Sequence, residues 1–215
     1  MTGPAAEARA AVTVIYLAWL AIHLLVLAAS LRRRRALMPP LALPIDLAWD
    51  LFRASSGLTP FPGLAPFDAA WPFFALTNAW LVSRHAREEF LLGAPRRWFW
   101  PALLASTAAW LGAMAFFCLG DPRGPARLYA VFGPLVNLAW SLGFLHRMRG
   151  PAPAGRLDLA LWWLRVFGSS APSLWIGVRL GLPFPLAAAL IVLLVDAAWL
   201  RAYLTRRRAD AAAAS

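Results

Sequence analysis

Apolar residues form long, nearly unbroken stretches along this chain, and short polar or charged segments separate them. A helix needs about 20 mostly apolar residues to cross the hydrocarbon core of a bilayer. Seven stretches approach or reach that length: residues 11–31, 36–55, 67–84, 98–119, 127–147, 158–180 and 183–204. The pattern predicts an all-α, polytopic membrane protein with seven transmembrane helices, which form a single domain over residues 1–215.

Arginines follow every second stretch, which indicates the direction of the crossings. They are Arg32–Arg35, then Arg84, Arg87, Arg96 and Arg97, then Arg147, Arg149 and Arg156, and finally Arg201 and Arg206–Arg208. The connections after the second and sixth stretches carry almost none. By the positive-inside rule this alternation predicts an amino terminus outside and a carboxyl terminus in the cytoplasm, with Arg123 and Arg127 as a mild exception.

The first stretch is predicted to be a retained span rather than a cleaved signal. It lacks a preceding basic region, and four arginines, Arg32 to Arg35, follow it at once. That order is typical of a helix with a cytoplasmic stop.

Composition agrees with a membrane class, since 61% of the residues are hydrophobic and only 14% are charged. The formal net charge of +11 is due to arginine alone, because the chain has no lysine. These arginines lie in short runs between apolar stretches rather than on one folded face, which argues against nucleic acid as a partner. The bilayer itself is the expected partner.

No metal or organic cofactor is predicted. Cys118 is the only cysteine, so neither an intrachain disulfide nor a cysteine-ligated zinc site can form within one chain. Paired-histidine motifs for zinc or di-iron are missing from the sequence, as is the lysine that a retinal Schiff base needs. An aspartate-rich motif for magnesium and diphosphate is not seen either.

Three aspartates, Asp46, Asp50 and Asp196, lie inside apolar stretches. A carboxylate at membrane depth is costly, and by default it indicates a functional site. The four-residue spacing of Asp46 and Asp50 places both side chains on one helix face, a turn apart. A pocket between helices would let Asp196 join them, and Pro44 could bend the second helix to leave room for a ligand.

These acids suit proton transfer to a lipophilic substrate. A carboxyl in a low-dielectric pocket disfavours ionisation and can act as a general acid, more so beside a second carboxyl. Aromatic faces stabilise a carbocation. Tryptophans that lie deep in their stretches are candidates for lining a cavity: Trp49, Trp80, Trp110, Trp140 and Trp163. The combination favours protonation-initiated cyclisation of a polyene.

Other interpretations stay open. Asp46 could bond a backbone group freed by the proline kink, Asp50 could pair with Arg53, and Asp196 could be a neutral acid bonded to a neighbouring helix. A small proton-coupled transporter or a lipid-binding membrane protein would use the same acids to carry protons or bind a cation. A purely structural subunit would pair the acids with arginines across helices, and Arg165 is the partner to expect.

Four motifs carry a resemblance to a known family. They are Asp46-Leu47-Ala48-Trp49-Asp50, then Asn137-Leu138-Ala139-Trp140-Ser141-Leu142-Gly143-Phe144, then Trp163 followed by Gly168-Ser169-Ser170-Ala171-Pro172, and finally Asp196 with Trp199. In order and spacing the chain resembles the integral-membrane terpene cyclases of fungal meroterpenoid and indole-diterpene pathways and their bacterial relatives.

The resemblance implies a metal-independent cyclase for a lipophilic linear isoprenoid or its epoxide, attached to a non-terpene head group. Asp50 would be the acid that protonates the substrate, with Asp46 as its modulator and Asp196 as the second essential carboxylate. The expected substrate-binding residues are Trp49, Asn78, Asn137, Trp140 and Trp163. This chain departs from the family at three positions: aspartate replaces glutamate at 50, aspartate replaces a neutral asparagine at 46, and Asn78 stands where many members have an acid.

Overall fold

The computed structural model describes residues 4–56, 62–92, 94–118, 124–149, 155–180 and 183–214, and the regular secondary structure in these ranges is entirely helical. The prediction of an all-α protein is therefore confirmed. The helices are α1 (Pro4–Arg33), α2 (Leu43–Ser56), α3 (Ala65–His85), α4 (Arg87–Leu91), α5 (Phe99–Cys118), α6 (Gly124–Arg149), α7 (Arg156–Arg165), α8 (Ala171–Leu180) and α9 (Pro183–Ala214). Three-residue 3-10 turns occupy Pro40–Ala42, Pro62–Leu64 and Arg96–Trp98, and a π-helical segment, Val166–Ser170, joins α7 to α8.

Each predicted stretch contains a helix, and among the described residues three segments are long and apolar enough to cross a membrane. They are Arg9–Arg33, Arg96–Cys118 and Leu186–Ala213. Large apolar side chains point outward from helices, such as Phe73 (69% exposed), Phe116 (75%) and Leu194 (71%). Exposed apolar surface of this kind indicates contact with lipid rather than water. The membrane character is thus supported, and the remaining crossings stay predictions.

The second stretch differs most from its prediction. Residues 36–55 were expected to form one span, but α2 begins only at Leu43, after the 3-10 turn. Pro39 and Pro40 lack the backbone N–H that an α-helix needs, so the helix starts beyond them. With 14 residues α2 is about 21 Å long, which is shorter than a hydrocarbon core of about 30 Å.

Contacts along the chain group into two compact units. The terminal unit comprises residues 1–25 and 140–215, and the central unit comprises residues 26–139. Helices α1 and α6 each contribute to both units, because the divisions fall inside them. Each unit is described by itself.

In the central unit, α2 packs against both α3 and α5. Arg53, near the end of α2, forms an ion pair with Asp68, near the start of α3. This pair makes α2 and α3 an antiparallel hairpin. On the other side of the unit, Phe132 of α6 packs edge-on against Trp110 and Phe117 of α5, with ring centres 6.2 and 5.3 Å apart.

In the terminal unit, α9 packs against α7, the π-helical segment and α8. The π-helical segment approaches α1 closely at Gly168, where an added Cβ would overlap the Cβ of Ala18. Next to this contact the indole N–H of Trp19 donates to the Ser169 hydroxyl, 3.2 Å away. A residue with a side chain at 168 would therefore force α1 and the π-helical segment apart.

Candidate functional site

Asp46 and Asp50 lie together inside the central unit. Their side chains are 2% and 3% exposed, and a carboxylate oxygen of each lies within 4.8 Å of the other. Every residue of α2 from Leu43 to Asp50 is buried, because α3 and α5 flank the helix. The two acids therefore cannot turn toward solvent by changing rotamer.

Charged side chains lie around this pair. The guanidinium of Arg53 is matched by Asp68, and it also lies 5.6 Å from the centre of the Trp49 ring. Asp50 interacts electrostatically with both Asp46 and Arg53. The buried ionisable residues described in this unit are Asp46, Asp50, Asp68 and Arg53. Two ionised carboxylates this close to each other repel, so ionisation of both at once is costly.

Two further polar side chains of the central unit are buried without a described hydrogen-bond partner. Asn78 on α3 is 1% exposed, and both atoms of its amide lack a partner among the described residues. Thr107 on α5 is 4% exposed, and its hydroxyl also lacks one there. A buried polar group without a partner costs free energy, so these positions suit a polar group of a ligand or an ordered water.

The Arg53–Asp68 pair ties the end of α2 to the start of α3. Asn78 lies ten residues beyond Asp68 on α3, about 15 Å along the helix axis at a rise of about 1.5 Å per residue, and so toward the opposite end of that helix. The predicted site residues of this unit, Asp46, Asp50, Trp49 and Asn78, are all buried.

Asp196 occupies a different environment, in the terminal unit, where it is 0% exposed. The hydroxyl of Ser141 on α6 donates to its Oδ1 at 2.6 Å, and the hydroxyl of Ser170 in the π-helical segment donates to its Oδ2 at 3.1 Å. Both carboxylate oxygens are therefore hydrogen-bond acceptors. The indole N–H of Trp162 also donates to the backbone carbonyl of Asp196, 2.7 Å away.

Arg165 completes this network. It is 0% exposed, its Nε lies 3.6 Å from Oδ1 of Asp196, and its Nη2 donates to the Ser141 hydroxyl. The guanidinium also lies 5.5 Å from the centre of the Trp19 ring. The charge of Asp196 is thus compensated by Arg165. This is the pairing across helices that the interpretation of the protein as a purely structural subunit predicted.

Aromatic rings lie beside the network in the terminal unit. Trp140, fully buried, contacts Trp19, His23 and Phe144 at centroid distances of 5.3, 5.4 and 5.6 Å. Phe144 in turn stacks on Trp199 at 4.9 Å with an interplanar angle of 11°. These rings form one buried aromatic cluster with several π faces.

The remaining predicted site residues are less enclosed. Trp163 is 49% exposed in its unit and stacks on Phe167 at 4.8 Å, so its ring lies on the outer surface. Asn137, on the part of α6 that belongs to the central unit, is half-buried. The predicted meeting of Asp196 with Asp46 and Asp50 in one chamber stays a prediction, since the acids belong to different units.

Sequence reasoning did not assign roles to Ser141, Ser170 and Thr107. Their position inside apolar stretches could have indicated such a role, because serines and threonines there often form hydrogen bonds across membrane helices. What the spacing could not show is which of the several serines and threonines turn inward.

A scan of protein-family models, a search of curated proteins and a search of solved structures each found no match to this chain.

Proposed function

We propose that the protein is a seven-span membrane terpene cyclase that protonates a lipophilic linear isoprenoid, or its epoxide, to start ring closure. The observation that supports this most is the acid pair: two buried carboxyls within 4.8 Å of each other on a helix whose other side chains are mostly apolar. Such a pair in a non-aqueous setting is suited to delivering a proton.

In the proposed reaction Asp50 gives its proton to the epoxide oxygen or to an alkene carbon of the substrate. The epoxide C–O bond breaks, or the protonated alkene becomes a carbocation, and the electron pair of a neighbouring alkene forms the new carbon–carbon bond. The resulting cation then loses a proton, which restores the carboxyl group of Asp50. Trp49, the residue before Asp50 and 7% exposed, supplies a π face near the donor. Asp46 modulates the donor through its charge.

Asp196 has a different role in this proposal. Both of its oxygens accept hydrogen bonds from serine hydroxyls, so it is not arranged to donate a proton. Its carboxylate is already paired with Arg165 and fixed by Ser141, so its proposed role is to hold the helices of the terminal unit in position.

The buried amide of Asn78 suits a polar head group on the substrate. Both side chains are buried in the central unit, so a substrate bonded to Asn78 by its head would place a more distant alkene or epoxide at the acid. The outward apolar surface of the helices suits a protein that lies in the bilayer, where such a substrate also partitions. The proposed topology has the amino terminus outside and the carboxyl terminus in the cytoplasm, as the arginine pattern favours.

The decisive experiment supplies membranes containing the protein with a polyprenylated phenol and with its terminal epoxide, and measures cyclic product by mass spectrometry. Asp50→Asn should lower turnover at least about 100-fold, since a positioned general acid contributes 10²–10⁴-fold. Asp50→Glu, which keeps the carboxyl, should retain activity. Asp46→Asn should lower turnover less than Asp50→Asn does, because a proton donor remains at position 50 but has lost the neighbouring acid that modulates it.

Equal turnover in wild type, Asp50→Asn and Asp196→Asn would refute the mechanism. No product from either substrate in wild-type membranes, with the protein folded and present, would count against cyclisation of this substrate class.

A second candidate function is proton-coupled transport, and the buried Asp196–Arg165 pair favours it. Ionisable pairs inside membrane helices often mark proton or ion pathways. Vesicles containing the protein and an internal pH-sensitive dye would distinguish the two functions. A transporter would move protons with its solute and lose that movement in Asp196→Asn, whereas a cyclase would leave the pH gradient unchanged.

A further inference from the structure

One end of the central unit is rich in arginine. At this end α1 finishes at Arg33, α3 finishes at His85 and α5 begins at Phe99. Eight arginines belong to the connections there, against two glutamates, Glu88 and Glu89. The arginines are Arg32, Arg33, Arg34, Arg35, Arg84, Arg87, Arg96 and Arg97.

Tertiary contacts bring these connections together. Helix α4 packs against the 3-10 turn Pro40–Ala42, against the turn Arg96–Trp98, and against α3 and α5. Segments that are far apart in the sequence therefore share one face of the unit, which we call the arginine face. The opposite end of the α2–α3 hairpin holds Arg53, which is buried and paired with Asp68.

The turn after α1 holds part of this face in a defined shape. Arg34 has a φ of 49°, in the left-handed region that usually takes glycine, and the N–H of Arg35 donates to the carbonyl of Ser30 at 3.2 Å. This is the hydrogen bond of a Schellman helix end. Ser30 is itself buried, and its hydroxyl accepts from the N–H of Leu37 at 3.0 Å. The side chains of Arg32, Arg33 and Arg34 are exposed on this turn.

Exposed tryptophans accompany the arginines. Trp80 is 45% exposed, Trp98 is 52% and Trp100 is 47%. Trp80 lies one helical turn before Arg84, whose guanidinium is 5.3 Å from the centre of its ring. Indole side chains on the outside of membrane helices favour the depth of the lipid headgroups. Arginines next to such rings are placed at the depth of the lipid phosphates.

We propose that the arginine face binds the headgroups of anionic phospholipids. The guanidinium group matches phosphate by forming two parallel hydrogen bonds, which an ammonium group cannot do. The arginine pattern assigns this face to the cytoplasmic side, where anionic lipids are concentrated. A free phosphate ion offers the same chemistry, so the experiment separates the two sources.

The experiment uses the full-length protein in a neutral detergent and follows its thermal unfolding midpoint, Tm, and its bound lipid by native mass spectrometry. Phosphatidylglycerol should raise Tm and remain bound, whereas phosphatidylcholine and inorganic phosphate should do neither. The triple variant Arg32→Gln/Arg33→Gln/Arg34→Gln and the triple variant Arg84→Gln/Arg96→Gln/Arg97→Gln should each lower the apparent affinity for phosphatidylglycerol roughly tenfold or more. Raising the salt concentration should weaken binding in the wild type.

Arg123→Gln/Arg127→Gln, in the part of the chain that the arginine pattern places outside, is the charge-changing control and should bind phosphatidylglycerol as the wild type does. The proposal is overturned if this control loses as much binding as the triple variants, or if phosphatidylcholine gives an equal shift. Stabilisation by inorganic phosphate equal to that by phosphatidylglycerol would also overturn it, in favour of a free-anion site. The mass spectra count bound lipid on folded protein, so a triple variant with a lower Tm still gives a result.

Discussion

The buried acids of the two units have opposite surroundings. In the central unit Asp46 and Asp50 lie within 4.8 Å of each other, and the arginine nearby, Arg53, is matched by Asp68. In the terminal unit Asp196 accepts hydrogen bonds from two serines and faces Arg165 at 3.6 Å. One arrangement brings like groups together, and the other neutralises a single carboxylate.

The two arrangements indicate different roles for the buried acids. A satisfied ion pair inside a protein holds helices in register, and removing one partner is strongly destabilising because the other is left buried and charged. A pair of neighbouring carboxyls gives no such stability, so its retention in an apolar core calls for a functional reason. The comparison therefore favours the proposed proton-donor role for the acids of the central unit and an orienting role for the Asp196 network.

The largest expected effect on stability is at Arg165. Arg165→Met should lower the free energy of unfolding by about 3–5 kcal/mol, since it leaves Asp196 buried without its counter-charge. Denaturant unfolding of the purified protein in detergent measures the loss. The double variant Arg165→Met/Asp196→Leu should recover most of it. A single variant as stable as the wild type would show that the network does not hold the terminal unit together.

An intermediate effect is expected at Gly168, where α1 meets the π-helical segment. Gly168→Ala should cost about 1–3 kcal/mol, because the new methyl group overlaps Ala18 and must push α1 away. Ala18→Gly in the same chain should restore part of the loss. Gly133→Ala is the matched control in the central unit, where an added Cβ meets nothing within 4 Å, and it should leave Tm nearly unchanged. Equal losses at the two glycines would contradict the close approach of α1.

The smallest effect is expected at Asp46. Asp46→Asn should leave the free energy of unfolding within about 1 kcal/mol of the wild-type value, or raise it, because it removes one of two neighbouring acids. Asp68→Asn, in the same unit, is the contrasting variant, and it should destabilise the protein because it breaks the pair with Arg53. If Asp46→Asn proved as harmful as Asp68→Asn, the acid pair would have a structural role and the comparison between the units would fail.

Much of the fold could be predicted because hydrophobic length is a strong signal. Every predicted stretch contains a helix, and three segments have the length and hydropathy of a membrane span. The second span is predicted to begin at residue 36, but α2 begins at Leu43. Hydropathy does not show that Pro39 and Pro40 delay the start of the helix. The π-helical segment was not predicted either, because it depends on how Ser169 and Ser170 bond to Trp19 and Asp196, not on composition.

For the candidate site, spacing predicted that Asp46 and Asp50 share a face, and Arg165 was named as the partner that a structural Asp196 would have. Spacing could not predict that Arg53 pairs with Asp68, or that Trp163 turns outward while Trp140 is fully buried. Each of these features depends on which neighbouring helix packs against the residue. A single sequence does not show which segments pack together.

Sequence alone determined the helical class, the membrane character, the direction favoured by the arginines and the presence of acids within apolar stretches, since these follow from local hydrophobicity and charge. Only the tertiary structure decided which acid is compensated and which is left beside another acid. It also gathered arginines from separate connections on one face of the central unit. The reason is physical: the energy of a buried charge depends on the groups within a few ångströms, and packing between distant segments decides which groups those are.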